Sequence, residues 1–444
     1  MKIPPLQNAY ENIKNACDRK LAELYPAALP QDIAARYEKE LSFLKDSEYL
    51  DDFEIFRLLS AEALKCCTPI HMRGSSMGSL IYYLLGNYCF NPLPAHYYCP
   101  HCGYYESVQT HLFGIDLPEK SCPDCGCSIL ADGYNLPLES AWGNDGKKML
   151  SFDYNVSSEF FPFARRVLES LYPDNELAAW GMFRFDENDS TPYSRDRIID
   201  VYLAGYAILP AGTTISDYPE LTSYLENGDP CLTGGSWNLS DNFIKPVRLL
   251  PSDYVDTLLK LQRATGVYAH EITTGHLRNI TRNHIYHSTV LPRMCGELFC
   301  EHQPKTFRDM AALIASTHNT FSRNEPTPGD GNTYHMLNKS EAFRAYPCCT
   351  REDFFDYLLE SGIERSVAFK LSENIRKGRA HSALYADMFD GLPVPPQLKE
   401  VAGYYLYVFP RAHCVEYLLM YARIAYYAGL DRKAFSKIMF KKKL

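Results

Sequence analysis

At 444 residues, with 46% hydrophobic and 22% charged positions, the chain has the composition of an ordinary globular protein and room for roughly two to four domains. Its 45 Lys and Arg against 54 Asp and Glu leave a net charge of −9, which excludes attraction of a polyanion by bulk charge and leaves only local basic patches for that work. No run of about 18 apolar residues offers a membrane span, and the start Met1-Lys2-Ile3-Pro4-Pro5-Leu6 lacks the apolar segment of a signal peptide, so the fifteen cysteines are expected in a reducing, cytoplasmic setting, free or bound to metal.

Residues 31–68 read as helices, the second of them covering Asp51 to Leu64. A Gly/Ser loop follows at Arg73-Gly74-Ser75-Ser76-Met77-Gly78-Ser79, then an apolar helical run, Leu80 to Leu85, and a Pro-rich stretch from Asn91 to Pro94. Residues 95–140, rich in Cys, Gly and Pro, predict loops and hairpins pinned by metal. Val201 to Pro210 predicts a buried strand, and Ser252 an N-cap for a helix from Asp253 to Ala264. From about residue 303 the pattern is mainly helical. Thr350-Arg351-Glu352-Asp353 resembles a capping box opening a helix that ends near Gly362; further helices are expected over Glu364 to Lys377, Gln397 to Val408 and Cys414 to Tyr427. Asn319 to Lys339 predicts a long loop, and Lys441-Lys442-Lys443 a solvated terminal run. Cys66-Cys67 and Cys348-Cys349 sit in apolar company and are expected as buried thiols.

Cys99-Pro-His-Cys102 and Cys122-Pro-Asp-Cys125 are two knuckles separated by nineteen residues. Two residues between paired cysteines let both thiolates face one ion, and the longer spacer brings the second pair round to complete a tetrahedron. Gly103 and Gly126 each follow a second Cys, where a tight turn is needed, and Cys127 stands as an alternative to Cys125. Four protein ligands leave no open position, so the expected Zn2+ is structural. His270, His276, His284 and His287 lie near Glu271 but lack the His-Glu-x-x-His spacing, so surface or core histidines are the default.

The order of several motifs resembles the polymerase core of the PolC-type alpha subunit of bacterial DNA polymerase III. Arg73-Gly74-Ser75, Asn91-Pro92-Leu93-Pro94-Ala95-His96-Tyr97 and the two knuckles are followed by Asp153-Tyr154-Asn155, which resembles a palm strand. Pro304-Lys305-Thr306-Phe307, then Gly362-Ile363-Glu364 with Ala368-Phe369-Lys370 and Arg376-Lys377-Gly378, then Phe409-Pro410-Arg411-Ala412-His413 resemble fingers motifs. The resemblance spans roughly residues 20–428 and implies an α+β fold: a C-family polymerase-like core with a nucleotidyltransferase-like palm sheet, a four-cysteine zinc module and mainly helical fingers. The expected division is an N-terminal helical part and palm start over 1–92, the zinc module over 93–140, the palm over 141–300 and the fingers-like region over 301–444.

The resemblance also implies chemistry, and here the residues depart from the pattern. The family holds two divalent metals with an Asp-x-Asp pair on one palm strand and a third Asp on a neighbouring strand, because carboxylates suit hard cations and residues i and i+2 of a strand share a face. Here the pair reads Ser151-Phe152-Asp153, and where the third acid belongs, after Asp241 to Lys245, the chain has Pro246-Val247-Arg248-Leu249. Asp145, Asp241 or Asp253 would compensate only through a rerouted backbone. In the Gly/Ser loop Met77 takes the place of the second glycine, and Asp200-Val201-Tyr202-Leu203-Ala204-Gly205 stands where the family carries a Gln-His-Pro-Gly-Gly stretch. The segment before it, Trp180 to Arg197, is much shorter than in the family.

The expectation is therefore a PolC-like protein with a catalytically degenerate palm, in which Asp153 is a remnant, acting as a replication-associated binding module or regulator. The alternative is an active template-dependent DNA polymerase with a rearranged metal site; Mg2+ is expected only in that case. Arg73, Gly74, Ser75, Lys370, Arg376, Lys377, Arg411 and His413 are the candidate nucleotide or DNA contacts by resemblance, although basic residues at a helix C-terminus also complement the macrodipole with no ligand. Primer–template DNA, a replisome protein or a second copy are the expected partners, with no membrane. The aromatic run Tyr404 to Phe409 is expected in helix packing.

Overall fold

Apolar residues spaced three and four apart build the N-terminal layer. The helices Ala9–Leu24, Gln31–Lys45 and Leu50–Lys65 bury Ile13, Cys17 and Leu21, then Ile33, Tyr37, Leu41 and Leu44, then Phe53, Phe56, Leu59 and Ala63. The first of these was not anticipated. In this computed structural model, residues 3–185, 198–278, 291, 293–321, 340–385 and 387–440 are described. The expectations for His284, His287, the tail lysines and most of the 319–339 loop lie outside those residues, as does much of Trp180 to Arg197.

The strands are β1 (Ile70–Arg73), β2 (His96–Tyr98), β3 (Tyr105–Ser107), β4 (Leu130–Asp132), β5 (Asp153–Val156), β6 (Leu177–Phe185), β7 (Ile198–Ile208), β8 (Thr222–Tyr224), β9 (Pro230–Thr233), β10 (Lys245–Pro251), β11 (Thr320–Phe321) and β12 (Tyr405–Tyr407). Seven form one mixed sheet in the order β1-β5-β10-β7-β6-β9-β8, with β5/β10 and β6/β9 parallel and the other pairs antiparallel. Tyr154 and Leu249 point from this sheet into the main core, where Phe56 stacks on Tyr154 at 5.8 Å and Phe53 on Trp142 at 5.6 Å. The fold is thus α+β with a mixed palm-like sheet, as expected.

β3-β2-β4 make a separate three-stranded sheet around a small core of Ala95, Tyr97, Cys99, Leu117, Cys122, Ile129 and Ala131. It docks through Tyr98, edge-on to Tyr25 at 4.8 Å, and through Asp116. The Asp116 carboxylate accepts the Phe307 and Arg308 N–H groups at 2.6 and 3.0 Å, capping the helix Phe307–Ser316 from outside its own segment. Burial pushes the Asp116 carboxyl up to about 6 against the pull of those donors.

The C-terminal half is helical and well capped. Thr350 and Asp353 form the expected box, the helix Arg351–Glu360 ends before Gly362 at φ 82°, and Glu364 caps Arg365–Arg376 through the Ser366 and Val367 N–H groups. The twenty-residue helix Arg411–Leu430 is buried on nearly every side, against Phe307–Ser316, Asp253–Thr265 and β1. One expectation is corrected here. The helix expected over Gln397 to Val408 is only Pro396–Gly403; the aromatic run after Gly403 goes extended as β12, which pairs with β11. A glycine stop followed by Tyr-rich residues favours a strand over another helical turn. Cys348 and Cys349 are buried, whereas Cys66 and Cys67 are only half-buried.

Candidate active site and metal centre

The two knuckles converge. The sulfur atoms of Cys99, Cys102, Cys122 and Cys125 all lie within 4.8 Å of one another, with Cys99–Cys125 and Cys102–Cys122 both at 3.5 Å. Four thiolates about 2.3 Å from a shared ion stand about 3.8 Å apart, so this group could hold a metal without rearrangement. Each knuckle turns where its second Cys meets glycine: Gly103 (φ 80°) donates to the Cys99 carbonyl and Gly126 (φ 74°) to the Cys122 carbonyl, both at 2.9 Å. Backbone N–H groups of Cys102 and His101 lower the Cys99 thiol to about 6, favouring the thiolate. His101, Cys125 and Cys127 form an overlapping, more exposed group, so the Cys127 alternative has a geometric basis.

In the large sheet, β5 carries Asp153 at its first position. The register sets Arg73 of β1 on one side of it and Arg248 of β10 on the other. Residues paired in register share a face, so the row reads Arg73, Asp153, Arg248, Gly205, Trp180. Arg248 Nη1 lies 3.4 Å from Asp153 Oδ1, and its guanidinium lies over the Trp180 ring at 5.3 Å. It reaches Trp180 because Gly205 between them has no side chain; a Cβ there would meet the Val247 carbonyl. Ser151 precedes β5 with its side chain against Gly74 and its carbonyl accepting from the Ser76 hydroxyl. Asp153, Arg248, Trp180 and Lys245 line an open cleft of about 630 Å³, with Trp237 and Phe243 exposed at its rim. Lys245 is held at 2.9 Å by Asp52, whose carboxyl burial raises. Of the compensating acids considered, Asp145 lines a different cavity and Asp253 opens a helix.

The basic candidates divide by burial. Lys370 and Lys377 are exposed on the helix Arg365–Arg376 and just past it, and Arg376 is half-buried against Glu373 at 3.3 Å. Lys370 shares a second open cavity of about 690 Å³ with Lys147 and Lys148. Arg73 is half-buried at the end of β1. Arg411 is buried and committed inward, to Asp353 at 2.9 Å, Asp356 at 2.6 Å and the Asn135 carbonyl. Those pairs belong to a wider network: Arg351 binds Glu352 and Glu373, and Glu352 also accepts from the Arg411 N–H and the Ser140 hydroxyl at 2.8 and 2.9 Å. Burial pushes Glu352 upward, but Arg351 and Arg411 outweigh it and hold the carboxyl at about 2. His413 is buried beneath Gly74, and burial together with nearby Arg73 lowers it to about 3.

Glu40 escaped sequence reasoning. Its carboxylate, fully buried, accepts from Arg36, Ser79, Trp142 and the Leu80 and Ile81 N–H groups. A signal existed: Ile33, Tyr37, Glu40, Leu41 and Leu44 share one helical stripe, so Glu40 lies on the apolar face.

A mixed palm-like sheet beside a four-cysteine knuckle module and a helical C-terminal half defines a bacterial replicative polymerase core. Residues 11–187 match the family described as bacterial DNA polymerase III alpha NTPase domain. The chain is similar to proteins named DNA polymerase III PolC-type: 26% identical to that of Thermotoga maritima over 96% of this chain and 34% of the relative, 24% to that of Caldanaerobacter subterraneus over 98% and 34%, and 26% to that of Bacillus subtilis over 96% and 32%. The chain is a PolC-like relative of the DNA polymerase III alpha subunit, spanning about a third of the length of these relatives.

Proposed function

We propose that this PolC-like chain does not transfer nucleotides and acts by binding, at primer–template DNA or a replisome protein. The observation that carries the reading is Arg248, in register beside Asp153 where the resemblance calls for a third carboxylate. With Ser151 in the first acid position, the cleft offers one carboxylate already paired to a guanidinium, and that donor set does not fit two divalent cations. Asp153 is then a remnant held by an ion pair. DNA contact falls to the exposed Lys370 and Lys377, with Arg376, Arg73 and the Gly74–Ser75 loop start as further contacts. Arg411 and His413 support these elements from within. The four-cysteine group holds one structural Zn2+, the divisions at residues 93, 141 and 301 follow the resemblance, self-association is a further contact, and the setting is cytoplasmic.

The second reading, a polymerase with a rebuilt metal site, has one observation in its favour: Glu48 and Asp52 line the same cleft as Asp153. Asp52 is tied to Lys245, which weakens it as a ligand. Primer extension with Mg2+ or Mn2+ separates the two. No extension is expected; template-dependent extension that disappears in Asp153→Ala refutes the binding-only reading. Fluorescence anisotropy with a labelled primer–template then tests the binding itself.

A further inference from the structure

The Gly/Ser loop has the composition of a phosphate cradle, and its donors are already in use. Gly74 (φ 107°) directs its N–H at Nε2 of His413, 2.5 Å away. That nitrogen therefore acts as acceptor, which places the imidazole proton on Nδ1, and His413 sits stacked on Phe409 at 5.1 Å. Ser151 fills the space on the Cα side of Gly74, where a Cβ would collide with its Oγ. Farther along, the first turn after the loop is occupied as well. The Glu40 carboxylate takes the Ser79 hydroxyl at 2.6 Å, the Leu80 N–H at 3.0 Å and the Ile81 N–H at 3.3 Å. Arg36 and Trp142 complete its shell at 2.6 and 3.0 Å. An anion belonging to the chain thus sits where orphan backbone donors would otherwise meet an external one.

We propose that His413 and Glu40 are built-in ligands of residues 74–81, holding the loop in a self-capped state that takes up no nucleoside triphosphate. This deepens the binding-only reading and rests on it, because a loop closed in this way has no substrate to present to the palm. Both groups are positioning residues: neither touches a substrate. The fit is chemical as well as geometric. A neutral imidazole accepts one N–H without adding charge, and a fully buried carboxylate with five donors needs no solvent.

The test uses the full chain loaded with zinc. Inorganic triphosphate and dGTP, each with Mg2+, are titrated calorimetrically up to millimolar concentration, and amide exchange is followed across residues 74–81. The expected result is no saturable binding and slow exchange at Gly74. His413→Ala should speed exchange at Gly74 roughly tenfold, the loss of one hydrogen bond, and His413→Gln, which retains an acceptor, should restore protection. Saturable triphosphate binding that alters exchange at 74–81 overturns the proposal, as does unchanged Gly74 exchange in His413→Ala. If His413→Ala fails to fold, the titration of the unaltered chain still decides. Triphosphate binding without primer extension defeats the self-capped loop and leaves the binding-only reading standing; primer extension defeats the reading itself.

Discussion

Arg248 faces Asp153 across the parallel β5/β10 pair, with Nη1 at 3.4 Å from Oδ1. The guanidinium repels a cation and, with Ser151, denies the cleft the donors a divalent metal needs. Replacing both, as Ser151→Asp with Arg248→Asp, sets three carboxylates on two adjacent strands. Mn2+ binding, followed by the loss of its free EPR signal, should then tighten by at least roughly tenfold over the unaltered chain. Arg248→Asp alone should give less, because Ser151 remains. Equal Mn2+ affinity in all three proteins would show that the acids do not converge.

The four-cysteine group makes a separate prediction about order. Elemental analysis should find about one zinc per chain. Because the module has only a small core of its own, Cys122→Ser should unfold it locally, detach the Asp116 cap from the helix Phe307–Ser316, and appear as fast amide exchange over residues 95–132 and 307–310. Protection retained across both segments without zinc would show that the metal is dispensable for the fold.

Much of this was legible in the chain for a physical reason: local patterns that the fold does not override. Two knuckles, a Thr350–Asp353 box and the glycine at 378 carry their own geometry, and the structure shows each doing so. Arg248 was legible because its place is counted along a strand whose neighbours Val247 and Leu249 are core residues. What escaped depends on partners distant in sequence. Tyr405 to Tyr407 became a strand because Thr320 and Phe321 supply a ladder. Glu40 reads as a solvated helix residue until Trp142, about a hundred positions on, closes over it. Arg411 reads as a DNA contact by motif, and only the arrival of Asp353 and Asp356 turns it inward.

That inward turn separates two kinds of basic residue. Arg411→Ala should leave Asp353 and Asp356 facing an empty, buried position and cost about 3–5 kcal/mol of stability, measured by denaturant unfolding. Lys370→Ala and Lys377→Ala, both exposed, should leave stability within about 0.5 kcal/mol. If primer–template DNA is the partner, each should instead lower the slope of log K against log salt by about one. A stable Arg411→Ala protein with weakened DNA affinity would reverse the assignment.

The same network sets the response to acid. Glu352 and Glu373 are both held at about 2, below the ordinary value of 4.5, because Arg351 outweighs the burial that pushes each upward. A depressed folded value means the unfolded chain binds more protons between about 2 and 4.5, so this stability is complete above 4.5 and is lost as pH falls through 2. Asp116 works in the opposite sense. Its carboxyl is raised from 3.8 to about 6, so its contribution is complete below 3.8 and is lost as pH rises through 6. Unfolding free energy measured from about pH 3 to 8 should therefore fall on the acid side through the glutamates and carry a smaller opposing slope between about 4 and 6. Asp116→Asn should remove that opposing slope while leaving the acid fall intact. Glu352→Gln should do the reverse, flattening the acid fall and lowering stability at neutral pH, where Arg351 and Arg411 would lose a buried anion. An acid limb unchanged in Glu352→Gln would mean that this carboxylate does not carry the linkage.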